Sequence, residues 1–324
     1  MNNIEAIQKQ IILAINQAKH VVLVSHQKPD GDAVGSVLAL AHYLDTLNKK
    51  FTIFSTHLLS DGLRFLPRSD WWQTDTSIWD KNNFDLIIVL DSGDLKYAGI
   101  HDYINNLTHA FLIINIDHHQ TNGQFGHYNL VLPTASSTCE IVHNLLNDTT
   151  DINKKIATCL LTGIITDTGG FFNLATTSSA IHVASQLLLS GANLKEINQN
   201  TLHNRPINSL RLWGRALERL YQDQKTGIIM TVITLQDLLA CNTDETAIEG
   251  VANFLNTLSE AKNNVIAVIS ENLDGKIKVS LRTTSPLLDV AKFAKLMGGG
   301  GHKKAAGFNL NGTLTQTKYG WTIN

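Results

Sequence analysis

The chain has 324 residues, 43% of them apolar, and a formal charge of −2. That size and apolar content allow two buried cores, so two domains are expected instead of one. The near-neutral balance excludes a protein that coats duplex nucleic acid, which needs many spare cations on one face, and suits a short or small anionic substrate.

Residues 1–19 set Ile4, Ile7, Ile11, Ala14 and Ile15 at helical spacing among Glu and Gln, which predicts an amphipathic helix and not a secretory leader. No apolar run approaches the roughly 20 residues that cross a bilayer, and no lipidation motif ends the sequence, so no membrane partner is expected. Stretches 21–24, 51–54, 86–90 and 111–116 are dense in Val, Ile, Leu and Phe, as strands covered on both faces must be. Between the first two, residues 33–47 put Val34, Val37, Leu38, Ala41 and Leu44 on one stripe, the period of a helix. This alternation predicts a parallel sheet with right-handed crossovers. Further helices are predicted at 137–146, 153–165 and 178–190, where Gly191 supplies a stop signal. Residues 194–221 read as helical, without the Gly, Ser or Pro richness of a flexible linker. Strands are then predicted at 227–234, 264–270 and 276–282, with helices at 244–258 and 289–297. The expected fold is α/β: a parallel-sheet N-terminal domain with helices on both faces over 1–192, a helical connector over 193–222, and a smaller α+β domain over 223–324.

Polar residues sit where these elements run out. The first strand enters Ser25-His26 and then Pro29-Asp30-Gly31-Asp32 before a helix. The strands at 86–90 and 111–116 end on Asp91 and on Asp117-His118-His119, and Asp167 follows the helix at 153–165. In an open parallel sheet the carboxyl ends of strands face the ligand crevice. Each fragment alone reads as a turn, a helix cap or a loop residue. Together they bring four acidic clusters to one edge, where they would repel strongly unless cations neutralised them. The donors are carboxylate and imidazole with no thiolate, which suits two divalent cations, Mn²⁺ first and Mg²⁺ or Co²⁺ as substitutes. Such a pair lowers the pKa of a shared water, so that hydroxide exists near neutral pH, and polarises phosphoryl oxygens. Cys139, Cys159 and Cys241 are odd in number, far apart and outside any C-x-x-C pattern, so a disulfide framework and a zinc finger are not expected and a reducing cytoplasm is. Near the C-terminus, four glycines at 298–301 precede His302, Lys303 and Lys304. Glycine backbone amides can form a concave nest for an anion, with the basic residues beside it. Arg282, at the end of a predicted strand, is a further candidate for phosphate contact.

With these residues in view, the chain closely resembles the DHH phosphoesterase family with its DHH-associated C-terminal domain. The resemblance rests on His26-Gln27-Lys28-Pro29-Asp30-Gly31-Asp32-Ala33-Val34-Gly35-Ser36, on Asp91-Ser92-Gly93, on the eponymous Asp117-His118-His119, on Thr166-Asp167-Thr168-Gly169, and on Gly298-Gly299-Gly300-Gly301-His302-Lys303-Lys304-Ala305-Ala306-Gly307. It implies that His26, Asp30 and Asp91 hold one metal and that Asp32, Asp91, His118 and Asp167 hold the other, with Asp91 bridging. It implies that His119 steadies the phosphoryl group or leaving oxygen, that Asp117 orients an imidazole, and that Gly299, Gly300, Gly301 and His302 grip the substrate phosphate while Arg282 helps place the nucleotide. The compact length is similar to that of the bacterial branch that degrades very short single-stranded RNA and dephosphorylates 3′-phosphoadenosine 5′-phosphate. A narrower linear or cyclic dinucleotide phosphodiesterase is the alternative within enzymes, a non-catalytic nucleotide sensor the alternative outside them, and a homodimer is left open.

Overall fold

Apolar side chains on both faces of each central strand set the architecture. In the structure, a computed structural model that describes residues 2–201, 206–318 and 320–324, the chain divides into two compact units, Met1–Asn204 and Arg205–Asn324. The first unit runs α1 (Asn2–Gln17), β1 (His20–Val24), α2 (Gly31–Thr46), β2 (Lys50–Phe54), β3 (Trp72–Gln73), α3 (Ile78–Lys81), β4 (Leu86–Leu90), α4 (His101–Asn106), β5 (Leu112–Asp117) and β6 (Tyr128–Val131). Four helices complete it: α5 (Thr138–Leu146), α6 (Lys154–Asp167), α7 (Ser178–Leu189) and α8 (Leu194–Thr201).

The six strands are all parallel, in the order β3-β2-β1-β4-β5-β6. Along β1, Val21 and Leu23 enter a core shared with α1, α2, α5 and α6, whereas Val22 and Val24 enter a second core with Trp79, Phe84, Ile100 and Ile104. This period-two division, with apolar contacts on each side, is why the strand reads as an unbroken apolar run. The strand order reverses between β1 and β4, and such a switch point opens a crevice outside the carboxyl ends of the strands.

Close helix packing fixes one wall of that crevice. A side chain at Gly35 of α2 would stand 2.4 Å from the Cys159 carbonyl of α6, and one at Gly163 would meet Cys139 Sγ at 2.2 Å and Asp32 Oδ1 at 2.7 Å. Gly31 likewise lies against Thr166. The two helices therefore run antiparallel at near backbone contact, with the start of α2 beside the end of α6.

The second unit comprises α9 (Ile207–Glu218), β7 (Tyr221–Gln222), β8 (Ile229–Ile233), α10 (Leu235–Ala240), α11 (Val251–Leu255), β9 (Val265–Glu271), β10 (Lys276–Thr283), α12 (Val290–Leu296), β11 (Gly300–His302), β12 (Ala305–Asn311), β13 (Leu314–Thr317) and β14 (Gly320–Ile323). Its main sheet, β11-β12-β10-β9-β8-β7, is mixed, with β8 and β9 parallel and the other neighbours antiparallel. Leu212 and Ala216 of α9 pack with Ile266 and Val268, while Val290 and Ala294 of α12 pack with Ala267, Val279 and Phe308. The α/β class with a parallel-sheet first domain and a smaller second domain is the fold observed.

Local differences have physical reasons. The helix expected over 244–258 is a 3₁₀ turn, Glu245–Ile248, followed by α11, because Gly250 between them adopts φ +85°. Within the stretch read as a connector, α8 contributes Ile197 to the core of the first unit and α9 contributes Leu212 to that of the second; residues 202–205 lie outside the described ones. No described helix is long and apolar enough to cross a membrane. Gly35→Ala should destabilise the protein by about 1–3 kcal/mol, read as a lowered thermal midpoint, because the new methyl meets a backbone carbonyl and not a movable side chain.

Candidate metal centre

Each strand end named above delivers its side chain to the same place. His26 follows β1, Asp91 follows β4 and Asp117 closes β5, with His118 and His119 next in the chain. Asp30 caps the N-terminus of α2, its Oδ1 accepting the Asp32 and Ala33 amides at 3.0 and 3.1 Å. Asp32 lies in the first turn of α2, and Asp167 is the last residue of α6.

The donors form three overlapping groups whose ligand atoms lie within 4.8 Å of one another: His26, Asp30 and Asp91; Asp32, His118 and Asp167; and Asp91, His118 and His119. His26 Nε2 stands 3.8 Å from Asp30 Oδ1 and 3.5 Å from Asp91 Oδ2. His118 Nε2 stands 3.9 Å from Asp32, 3.7 Å from Asp91 Oδ1 and 3.7 Å from Asp167. These separations exceed hydrogen-bond length and fall in the range of atoms arranged around a common cation. Asp91 faces both sets through its two oxygens.

Supporting contacts aim the donors. His26 Nδ1 lies 2.7 Å from the Gln27 carbonyl, so the N–H placed there leaves the Nε2 of a neutral ring with a lone pair that a cation could take. The ring also stacks on Tyr97, with centroids 5.2 Å apart and planes at 17°. Asp32, buried to 2% exposure, accepts the Thr138 and Cys139 amides at 2.6 and 2.8 Å. These are the first amides of α5, where the helix end favours negative charge. The Thr138 hydroxyl donates to Asp91 Oδ1 at 3.0 Å. Asp91 itself adopts φ +56°, while its amide donates to the Ile116 carbonyl of β5 at 2.9 Å.

Asp117 is fully buried behind His118 and His119 and belongs to none of these groups. Its Oδ1 accepts the His118 amide at 2.8 Å and His119 Nδ1 at 2.7 Å, and its Oδ2 accepts Asn122 Nδ2 at 2.6 Å. The carboxylate therefore fixes the ring of His119 and is saturated in doing so.

Burial and crowding shift the titrations in opposite directions. Burial, then the charges of Asp91 and Asp30, hold Asp32 well above the ordinary carboxylate range, and burial with Asp32 and Asp91 does the same to Asp167. Burial would lower the two imidazoles, yet the nearby carboxylates of Asp30 and Asp91 push His26 up to about 12, and the bond to Asp117 raises His119 to about 9. A set of carboxylates this mutually unfavourable, joined by imidazoles and with no thiolate among the donors, fits hard or borderline divalent cations.

The remaining candidate residues lie in the second unit. Arg282 is half-buried on β10, its Nε donating to Asn253 Oδ1 of α11 at 2.7 Å; burial lowers its pKa. The glycine run is only partly a loop: Gly300, Gly301 and His302 form the edge strand β11, paired with Gly307, Ala306 and Ala305. Gly299 and Gly301 allow that close approach, since side chains there would stand 2.1 Å from the Gly307 carbonyl and 2.5 Å from the Ala305 carbonyl. Gly300 has open space where its side chain would be. The Lys304 ammonium donates to the Ser285 and Leu288 carbonyls, so it stabilises its own loop and does not face a ligand.

Sequence reasoning missed Thr138, Cys139, Asn122 and Tyr97. The capping pattern Ser137-x-x-Glu140 marks the start of α5, and Ser137 does accept the Glu140 amide at 3.1 Å. Nothing in it discloses that the helix start receives a carboxylate from 106 residues away.

Comparison with known proteins matches residues 20–164 to the DHH family, N-terminal domain, and residues 227–317 to the DHHA1 domain. The chain is 31% identical to the bifunctional oligoribonuclease and PAP phosphatase NrnA of Thermus thermophilus, covering 90% of this chain and 84% of that protein. It is 27% identical to the probable bifunctional oligoribonuclease and PAP phosphatase NrnA of Streptococcus mutans, covering 93% of each. Its fold superposes on the crystal structure of an exopolyphosphatase-related protein from Bacteroides fragilis with TM-score 0.88 at 27% identity, over 95% of this chain and 92% of the other.

Thr138→Val keeps the shape of the side chain but removes the donor to Asp91. Mn²⁺ affinity, measured by calorimetric titration, should fall about tenfold to a hundredfold while the thermal midpoint of the metal-free protein moves little.

Proposed function

The chain belongs to the DHH family, and on that premise we propose that it is a divalent-metal-dependent hydrolase of short oligoribonucleotides and of 3′-phosphoadenosine 5′-phosphate. The observation that carries the reading is that Asp91 belongs to two of the three overlapping donor groups, a geometry suited to a paired-cation phosphoesterase. The similarity to two oligoribonuclease and PAP phosphatases over nearly the full length supports the substrate class. Both phosphodiester and phosphomonoester bonds fall within it. Free, buried Cys139, Cys159 and Cys241 accord with a reducing cytoplasm.

In this reading His26, Asp30 and Asp91 hold one cation, and Asp32, Asp91, His118 and Asp167 hold the second. Cations there would supply a hydroxide nucleophile at neutral pH and neutralise charge on phosphoryl oxygens. The protein supplies position. Amides of α5 and the Thr138 hydroxyl keep Asp32 and Asp91 aimed, so that little reorganisation accompanies the reaction. His119, with Nδ1 tied to Asp117, offers Nε2 to a phosphoryl or leaving oxygen and can deliver a proton there. In the second unit, Arg282, aimed by Asn253, and His302 with Gly299, Gly300 and Gly301 bind the phosphate and nucleotide of the substrate.

RNAs of two to about ten residues carrying a label at one or the other end, together with the bisphosphate nucleotide, test this with Mn²⁺, Mg²⁺ and Co²⁺ in turn. Turnover of the shortest RNAs and of the bisphosphate is expected, chelation should abolish it, and added Mn²⁺ should restore it. Tight nucleotide binding without turnover under every metal would overturn the reading. Asp91→Ala should lower kcat/KM by about 10³-fold or more while leaving the fold intact by circular dichroism.

A further inference from the structure

The chain between α6 and α7 is more constrained than a link between two helices requires. Gly169, Gly170 and Phe171 follow one another in the left-handed backbone region, at φ +60°, +72° and +70°. Glycine takes that conformation freely, but an aromatic residue does not, and its persistence means that the surroundings enforce it. The enforcing contacts are visible. Phe171 packs half-buried against the core of the first unit, and its amide donates to Thr168 Oγ1 at 3.2 Å. The amides of Phe172 and Asn173 both donate to the Thr168 carbonyl at 3.1 Å. Asn173 Nδ2 donates to the carbonyl of Asp167 at 2.7 Å, and Asn173 Oδ1 accepts the Ala175 amide at 2.9 Å.

The consequence falls on Phe172. Its neighbours on both sides are fastened, one to the core and one to the backbone of Asp167, yet Phe172 itself is 87% exposed. A large ring on a loose loop can fold down onto apolar surface. Here the turn holds it out in water, next in the chain to Asn173, whose side chain is tied to the backbone of Asp167 in the candidate metal centre.

We propose that Phe172 is a stacking platform for a nucleobase of the substrate. The inference rests on the functional reading above and adds to it the group that receives a base, which the carboxylates, imidazoles and glycines of that reading do not. Every base presents a π-face, so a platform of this kind holds short RNAs without regard to sequence and favours purines for their larger area. That behaviour suits an enzyme that accepts many short sequences.

The test compares an RNA dinucleotide with a dinucleotide of the same charge lacking both bases, in the wild-type protein and in Phe172→Ala and Phe172→Trp. Phe172→Ala should raise KM for the RNA about tenfold to a hundredfold with kcat nearly unchanged, and Phe172→Trp should restore it. Neither variant should alter turnover of the base-free substrate, Mn²⁺ affinity or the thermal midpoint. Equal losses on both substrates, or no loss on either, would overturn the platform while leaving the phosphoesterase reading intact. A wild-type protein that hydrolyses neither substrate would overturn that reading and the platform with it.

Discussion

Repulsion among carboxylates governs this molecule. Asp30, Asp32, Asp91 and Asp167 converge on one end of a parallel sheet, and two like charges about 4 Å apart cost on the order of 4 kcal/mol even at an effective dielectric of 20. Burial first, and then that repulsion, raises the titrations of Asp32 and Asp167. The fold opposes it from one side only. Amides of α5 stabilise Asp32, a hydroxyl reaches Asp91, and amides of α2 reach Asp30; in the proposed function, cations would neutralise the rest.

The scaffold can bear such a cluster because it is rigid where the charges sit. Strands covered on both faces end at the switch point of the sheet, and their length decides where His26, Asp91 and His118 emerge. The glycine-lined crossing of α2 and α6 brings Asp32 within reach of the end of α6, with a separation too small for any side chain at Gly35 or Gly163. Asp117 adds stiffness of another kind. Its carboxylate is saturated by protein donors, so it acts through the orientation of His119.

Much of this was legible in the sequence because it depends on local pattern. An apolar run that stops at an acidic residue marks both a strand and its ligand-bearing end, and β1, β4 and β5 lie where such runs were read. The short strands β3, β6 and β11 were not legible, since two to four residues carry no period. Gly250 falls inside the helix predicted over 244–258, and its left-handed backbone divides that segment in two. The glycines at 298–301 suggested a nest, but half of that run pairs as an edge strand, and Lys304 faces its own carbonyls. The amides that receive Asp32 were hidden for a different reason: contacts between residues 106 positions apart leave no trace in spacing.

The backbone of Asp91 sits at φ +56°, a region that asparagine, aspartate and glycine enter far more readily than other residues. The residues that conformation tolerates and those the chemistry tolerates overlap at aspartate alone. Glutamate would preserve the charge and strain the chain, whereas asparagine or glycine would satisfy the chain and forfeit the bridge that the proposed function assigns to Asp91. Under that assignment, a relative that had drifted to asparagine here would retain its architecture and lose its reactivity, so a silent, well-folded descendant lies a single codon change away.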